Sequence, residues 1–321
     1  MADSRPSVAH PRGTEAVGES EMVRDPFSER LDIDSPRQPG IVLFRRPGGP
    51  GSRMPGSQPA TALAAKLPAR LDPAGHWSQL PLLAIDEATA HAAHLIVSRH
   101  EDPVGTLFDV LRTRLLQALD ERGWNRIVVT APTRGCGTST VAANLALSMA
   151  RRPGTRTLLI DLDLRMPSLH RLFGVEPPGP IRSMLSGEQP VEAHMQRVGQ
   201  NLCLALSDRA EPDAAELLQE PATVETFRHL CSLYAPDVLL YDMPPVLEGD
   251  DVLAFLPQTD GAILVVDGLR TLPSEVQEAE RLIRERSELV AVVLNRAEDR
   301  PGDALRGTGG WRARLRRWSR V

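Results

Sequence analysis

Between residues 126 and 294 the chain alternates short apolar runs with stretches of helical spacing. The runs Arg126-Ile127-Val128-Val129-Thr130, Thr157-Leu158-Leu159-Ile160 and Leu202-Cys203-Leu204-Ala205-Leu206 read as buried strands, as do residues 238–241, 262–266 and 290–294. Residues 139–150, 213–219, 222–234 and 274–286 carry helical patterns between them. Upstream, residues 84–98 and 106–122 also read as helices. In the second of these, Leu107, Val110, Leu111, Leu115 and Leu119 recur at helical spacing. Strands that are apolar along their whole length need cover on both faces, and a helix in each connection supplies it. The predicted fold is α/β, a mostly parallel sheet with helices on both faces.

The flanks break this pattern. Residues 1–75 hold 11 prolines and 8 glycines. Such a composition buries too little apolar surface to offset the entropy of ordering, so it predicts a disordered extension. Within it, Ile41-Val42-Leu43-Phe44 is either a docking peptide or chance. Residues 76–101 read as a linker and helix, 102–300 as the α/β domain, and 301–321 as a basic tail. From Arg306 onward there are six arginines and no acid, with Trp311, Leu315 and Trp318 on one helical face. That arrangement suits an anionic membrane surface or an acidic partner, or else it is a frayed basic terminus.

Composition narrows the picture. A formal net charge of −5 argues against nucleic-acid binding by bulk electrostatics. Cys136, Cys203 and Cys231 are too scattered for a disulfide framework or a zinc cluster and suit a reducing cytoplasm. Residues 1–13 lack the apolar run of a secretory signal, and no apolar run reaches the roughly 18 residues of a membrane span. Lys66 is the only lysine among 37 basic residues. Nothing downstream of it can offer an ammonium to a phosphate.

The chemistry gathers where predicted strands end. Beyond the first comes Thr133-Arg134-Gly135-Cys136-Gly137, then Thr138-Ser139-Thr140 opening a helix. This is P-loop architecture: backbone N–H groups and a helix N-terminus converge on phosphate oxygens, and a hydroxyl such as that of Ser139 reaches Mg²⁺. Beyond the second strand stand Asp161 and Asp163, which alternation points to one side. Asp242 ends another strand in Tyr241-Asp242-Met243-Pro244-Pro245. Ligands of parallel sheets bind at these carboxyl ends.

The run from Val128 to Asn144 is one of three segments that share a resemblance. The second is Leu159-Ile160-Asp161-Leu162-Asp163-Leu164-Arg165-Met166-Pro167-Ser168-Leu169-His170-Arg171-Leu172-Phe173-Gly174, and the third is Asp242-Met243-Pro244-Pro245-Val246-Leu247. Together they resemble the bacterial tyrosine kinases of capsule and exopolysaccharide synthesis, relatives of the MinD/ParA ATPases. Glu216-Leu217-Leu218, Leu294-Asn295-Arg296 and Leu111-Arg112-Thr113-Arg114 match the same family, so the likeness spans residues 102–297. It implies a P-loop NTPase fold with ATP and Mg²⁺ as cofactors. Arg134, Gly135, Cys136, Gly137, Thr138, Ser139 and Thr140 would form the nucleotide loop, and Asn295 would contact adenine. Ser139, Asp161 and Asp242 would serve the metal. Asp161 and Asp163 would be the catalytic carboxylates, one of them a candidate base.

The sequence departs from the family in three places. Thr138 replaces the P-loop lysine, and losing one charge-stabilising group of this kind costs on the order of 10²–10³ in rate. The family's C-terminal tyrosine cluster is absent, since Tyr234 and Tyr241 are the only tyrosines. In the family's subunit-contact helix a Glu is followed by arginines three and six residues later, and here those positions read Thr106, Asp109 and Arg112, so only the last is kept, which leaves homo-oligomerisation open. The resulting expectation is a cytoplasmic, degenerate kinase that regulates a membrane chain-length co-polymerase of polysaccharide synthesis and does not bind nucleic acid. Two alternatives are an active ATPase or tyrosine kinase using Arg134 or a partner's residue, and a ParA/MinD-like positioning ATPase. Through residues 306–321 the protein would sit peripherally at the inner face of the plasma membrane.

Each arginine held near an anionic bilayer contributes about 1 kcal/mol, and salt screens it. Full-length protein is therefore expected to co-sediment with anionic liposomes at low salt, while a chain ending at Asp303 stays in the supernatant. Equal sedimentation of the two would remove the tail from membrane binding.

Overall fold

The computed structural model describes residues 43–44, 72–97 and 103–297. Lys66, most of the Pro/Gly-rich extension and the basic tail lie outside them. In chain order the elements are β1 (Leu43–Phe44), α1 (Pro73–Gln79), α2 (Glu87–Ala92), α3 (Pro103–Asp120), β2 (Arg126–Thr130), α4 (Thr138–Ala150), β3 (Thr157–Asp161), α5 (Leu169–Phe173) and α6 (Ile181–Leu185). They continue as β4 (Met195–Val198), β5 (Leu202–Ala205), α7 (Ala214–Gln219), α8 (Pro221–Tyr234), β6 (Val238–Asp242), α9 (Asp251–Phe255), β7 (Gly261–Asp267), α10 (Pro273–Arg284) and β8 (Glu288–Asn295). The strands form one sheet in the order β1-β8-β7-β2-β6-β3-β5-β4. Pairing is parallel from β8 to β5 and antiparallel at both edges. The α/β, mostly parallel fold read from the apolar runs is the observed one.

Alternation along the strands builds two cores. Ile127, Val129, Leu159, Leu240, Ile263 and Val265 face α3 and α4, with Leu111 and Leu115 from α3 and nearly all of α4. Val128, Leu158, Ile160, Leu239, Tyr241 and Leu264 face the other way, onto α8, α9 and α10. There Tyr241 meets Phe255 and Phe227 edge to face, at centroid distances of 4.9 and 5.4 Å. Helix α4 has no polar stripe: every residue from Val141 to Met149 is buried, as expected of a helix enclosed on all sides. Because α4 follows β2 on one face and α9 follows β6 on the other, the carboxyl ends of these neighbouring strands open a crevice.

The structure departs from the periodicity in three segments. Residues 84–98 read as one helix, but only α2 is helical. Beyond it His94 takes a left-handed backbone (φ 59), and the Asn144 side chain bonds both the His94 carbonyl and the Ile96 N–H, so the chain is held extended. Residues 1–75 read as disordered, yet α1 begins at Pro73 and Trp77 inserts into the core beside Tyr234. Leu43 and Phe44 also pair with Val293 and Val292, satisfying the open edge of β8. Ile41 and Val42 of that patch lie outside the described residues. Strand β4 was not anticipated, because Met-Gln-Arg-Val has no apolar run to announce it.

Among the described residues no helix is long and apolar enough to cross a membrane. Leu111 is 1% exposed where α3 meets the sheet-side core. Leu111→Ala is expected to cost about 2–5 kcal/mol in a urea melt without changing the far-UV spectrum at zero denaturant.

Candidate functional site

The loop between β2 and α4 takes its shape from two glycines in the left-handed region, Gly135 (φ 84) and Gly137 (φ 87). Gly137 is the N-cap of α4, so Thr138, Ser139 and Thr140 form the first helical turn, where N–H groups have no intrahelical partner. The end of β8 straps the loop from outside. Asn295 Nδ2 donates to the Cys136 carbonyl at 2.9 Å, and Arg296 Nη1 donates to the Gly135 carbonyl at 2.7 Å while pairing with Asp267. A Cβ on Gly137 would also run into Asn295 Nδ2 and displace that amide from the loop. Arg296 itself is left-handed (φ 53), a conformation its two contacts sustain. Cys136 turns its thiol inward, 3.5 Å from Thr271 Oγ1, leaving only its backbone to a ligand.

Beneath the loop lie the carboxylates. Strand register sets Asp161 directly beside Asp242, both fully buried, on the sheet face that carries α4. Asp161 Oδ2 accepts the N–H groups of Ser168 and Leu169 at 3.2 and 3.1 Å. Asp161 Oδ1 and both oxygens of Asp242 are buried with no hydrogen-bond partner. Burial pushes the Asp161 carboxyl up to about 7, with the Asp163 charge adding to it. Burial and then the Asp161 charge raise Asp242 well above the carboxylate range, and the Ser139 hydroxyl beside it opposes the rise. Ser139 Oγ bonds Ser168 Oγ at 2.9 Å, which ties the first turn of α4 to the segment holding Asp161.

Asp163 lies at the rim. Its Oδ2 pairs with Arg134 Nη1 at 2.9 Å and its Oδ1 accepts the Met166 N–H. Burial raises its carboxyl and the Arg134 charge opposes that rise. Arg134 also donates its backbone N–H to Glu248 Oε1 at 2.6 Å and its Nε to Glu248 Oε2 at 3.1 Å.

Three buried, unpartnered carboxylate oxygens on the ends of two adjacent strands fit a cation. Two carboxylates and a hydroxyl suit Mg²⁺, which takes its remaining ligands from water and substrate phosphates. Among the described residues no group of three or more His, Cys, Asp or Glu is arranged to hold a metal ion. The structure thus gathers Arg134, Gly135, Gly137, Thr138, Ser139, Thr140, Asp161, Asp163 and Asp242 around one crevice, with Asn295 at its wall. Both ends of the Asn295 amide are engaged within the chain, through Cys136 and the Arg296 N–H. Sequence reasoning did not single out Ser168, Arg296 or Glu248. The first two stood inside the family strings. Glu248 had no signal, since its partner is set by how the segment after β6 folds back. Tyr234 and Tyr241 are at most 1% exposed.

A family profile described as ParA: NUBPL iron-transfer P-loop NTPase matches residues 124–297. Tyrosine-protein kinase YwqD of Bacillus subtilis (strain 168) is 32% identical over 193 residues, covering 59% of this chain and 79% of that protein. Succinoglycan biosynthesis transport protein ExoP of Rhizobium meliloti (strain 1021) is 31% identical over 170 residues, covering 50% of this chain and 21% of ExoP. Like ExoP, other long relatives are matched over only about a quarter of their length. Among solved structures, the chimerical protein CapA2B2 superposes with a TM-score of 0.58 at 28% identity, covering 68% of this chain and 94% of that one.

The buried pair sets a pH dependence. Carboxyls raised in the folded state favour folding fully below the ordinary carboxylate range, and that contribution is lost as pH rises through about 7 for Asp161. Thermal melts of metal-free protein are expected to fall from pH 5 to pH 8 by more in the wild type than in Asp242→Asn. At pH 8, Mg²⁺ should raise the wild-type melting temperature and leave that of Asp242→Asn unchanged.

Proposed function

Because the chain belongs to the ParA family of P-loop NTPases, and within it to the family of the bacterial tyrosine kinases, we propose that it is a kinase-derived nucleotide-binding protein. In this reading it regulates polysaccharide synthesis or export rather than phosphorylating tyrosine efficiently. The observation that carries it is a complete carboxylate and hydroxyl set around a loop whose lysine position holds Thr138. Ser139, Asp161 and Asp242 would hold Mg²⁺, which when bound neutralises phosphate charge. The loop amides of residues 135–140 would bind the phosphates of ATP, and Asp163 would face the terminal one. A threonine hydroxyl is short and neutral, and it supplies no compensation for charge building between the outer phosphates. Arg134 is a cation within the loop itself, but it is engaged by Asp163 and Glu248.

The absence of an accessible acceptor supports the same reading. Both tyrosines are enclosed, and burial raises both phenols. Residues 102–300 then act as the nucleotide-binding domain and 301–321 as its membrane contact, with a cytoplasmic membrane co-polymerase segment as the partner. The strings shared with the kinases of exopolysaccharide synthesis, and the likeness to a protein named for succinoglycan biosynthesis transport, support that assignment. The rival is an active ATPase or kinase in which Arg134, released from its carboxylates, supplies the missing charge.

Turnover decides between them. Thr138→Lys is expected to hydrolyse ATP about 10²-fold or more faster than wild type, because it restores the one charge that the set of Ser139, Asp161, Asp163 and Asp242 lacks. Substantial and equal turnover by the two proteins would exclude the degenerate-enzyme reading.

A further inference from the structure

Glu248 is held against the loop by its own backbone. The Val246 N–H donates to the Ala131 carbonyl at 2.9 Å and the Leu247 N–H to the Pro132 carbonyl at 3.3 Å, while the Glu248 N–H closes a turn on Pro245. The segment after β6 is therefore laced to the base of the P-loop, and its carboxylate arrives at Arg134 without a flexible linker. There it does what an oxyanion ligand does at such loops: one oxygen takes a backbone N–H, the other a guanidinium N–H. P-loop amides near the helix take the inner phosphates, so the outer end, at Arg134, faces the terminal one.

We propose that the Glu248 carboxylate occupies the terminal-phosphate position of the loop, and that a nucleoside triphosphate must displace it from Arg134 to bind. This rests on the loop being a nucleotide site, as argued above. The arrangement is a charge sequence Glu248–Arg134–Asp163, with Arg134 shared between two acids. Both side chains of the outer pair are about one-third exposed, so water and a phosphate reach them, and such a pair is held weakly enough to exchange. When a terminal phosphate replaces Glu248, Arg134 becomes the loop's cation in place of the missing lysine. A diphosphate ends short of Arg134 and leaves the pair closed. The loop then discriminates by phosphate number through a side chain of its own protein.

Calorimetric titration of the full chain with the Mg²⁺ complex of β,γ-imido-ATP, and separately of ADP, tests this. Glu248→Gln should tighten the triphosphate analogue about three- to tenfold and change ADP less than twofold. A general loosening of the loop would move both equally, and that result overturns the proposal, as does no change in either. If Glu248→Gln folds poorly, Glu248→Asp, whose carboxylate stops short of Arg134, should show the same selectivity. Thr138→Lys serves as the control. If it binds nucleotide while Glu248→Gln behaves as wild type, the nucleotide site stands and the displacement mechanism falls. If no variant binds nucleotide, the nucleotide reading fails, and hydrogen exchange of the Arg134 amide judges the contact alone. Faster exchange in Glu248→Gln upholds it, and an unchanged rate refutes it.

Discussion

Two carboxylates buried side by side without a counter-charge are the constraint around which this site is arranged. Register pairs Asp161 with Asp242 on adjacent central strands, and three of their four oxygens lack a partner. Buried charge of one sign is strongly unfavourable, so the apoprotein keeps protons there that an exposed acid would release. Everything overhead is built to bring compensation: a helix N-terminus, a ring of loop amides, a hydroxyl on Ser139. The neighbouring strap from Asn295 and Arg296 holds the carbonyls of Cys136 and Gly135.

Much of this was legible in the sequence. Apolar runs ending in Asp161 and Asp242 marked the two central strands, because a strand buried on both faces has no other composition available to it. The glycines of the loop were legible for a conformational reason, as positive φ at Gly135 and Gly137 excludes most other residues. What stayed hidden is instructive. Strand β4 is an edge strand of Met-Gln-Arg-Val whose pairing comes from its neighbour, and β1 is two residues in a Pro/Gly-rich stretch. Helix α2 stopped early because a side chain 50 residues away, Asn144, captured the backbone. Glu248 was invisible because its role comes from a fold-back after β6 that no local pattern encodes.

The loss of the lysine looks different once the surroundings are known. In the linear sequence, Thr138 is a single missing charge. In space, the missing charge leaves an acidic crevice in which Arg134 answers to two carboxylates at once. Arg134 can take up the lysine's charge only by giving up one of the two oxyanions its planar fork already holds. Restoring an ammonium at position 138 would therefore alter the balance of the whole rim, beyond the phosphates alone.

The enclosure of Tyr234 and Tyr241 reaches into how the protein is to be observed. One packs edge-on to Trp77, the other between Phe227 and Phe255, and neither phenol meets solvent. A phosphoryl group on either ring would have to replace core contacts with a dianion, which only an opened chain permits. An anti-phosphotyrosine signal travelling with the native protein through purification thus belongs to whatever is bound to it. The same signal on this polypeptide in a denaturing gel records molecules that were modified before they folded or after they came apart.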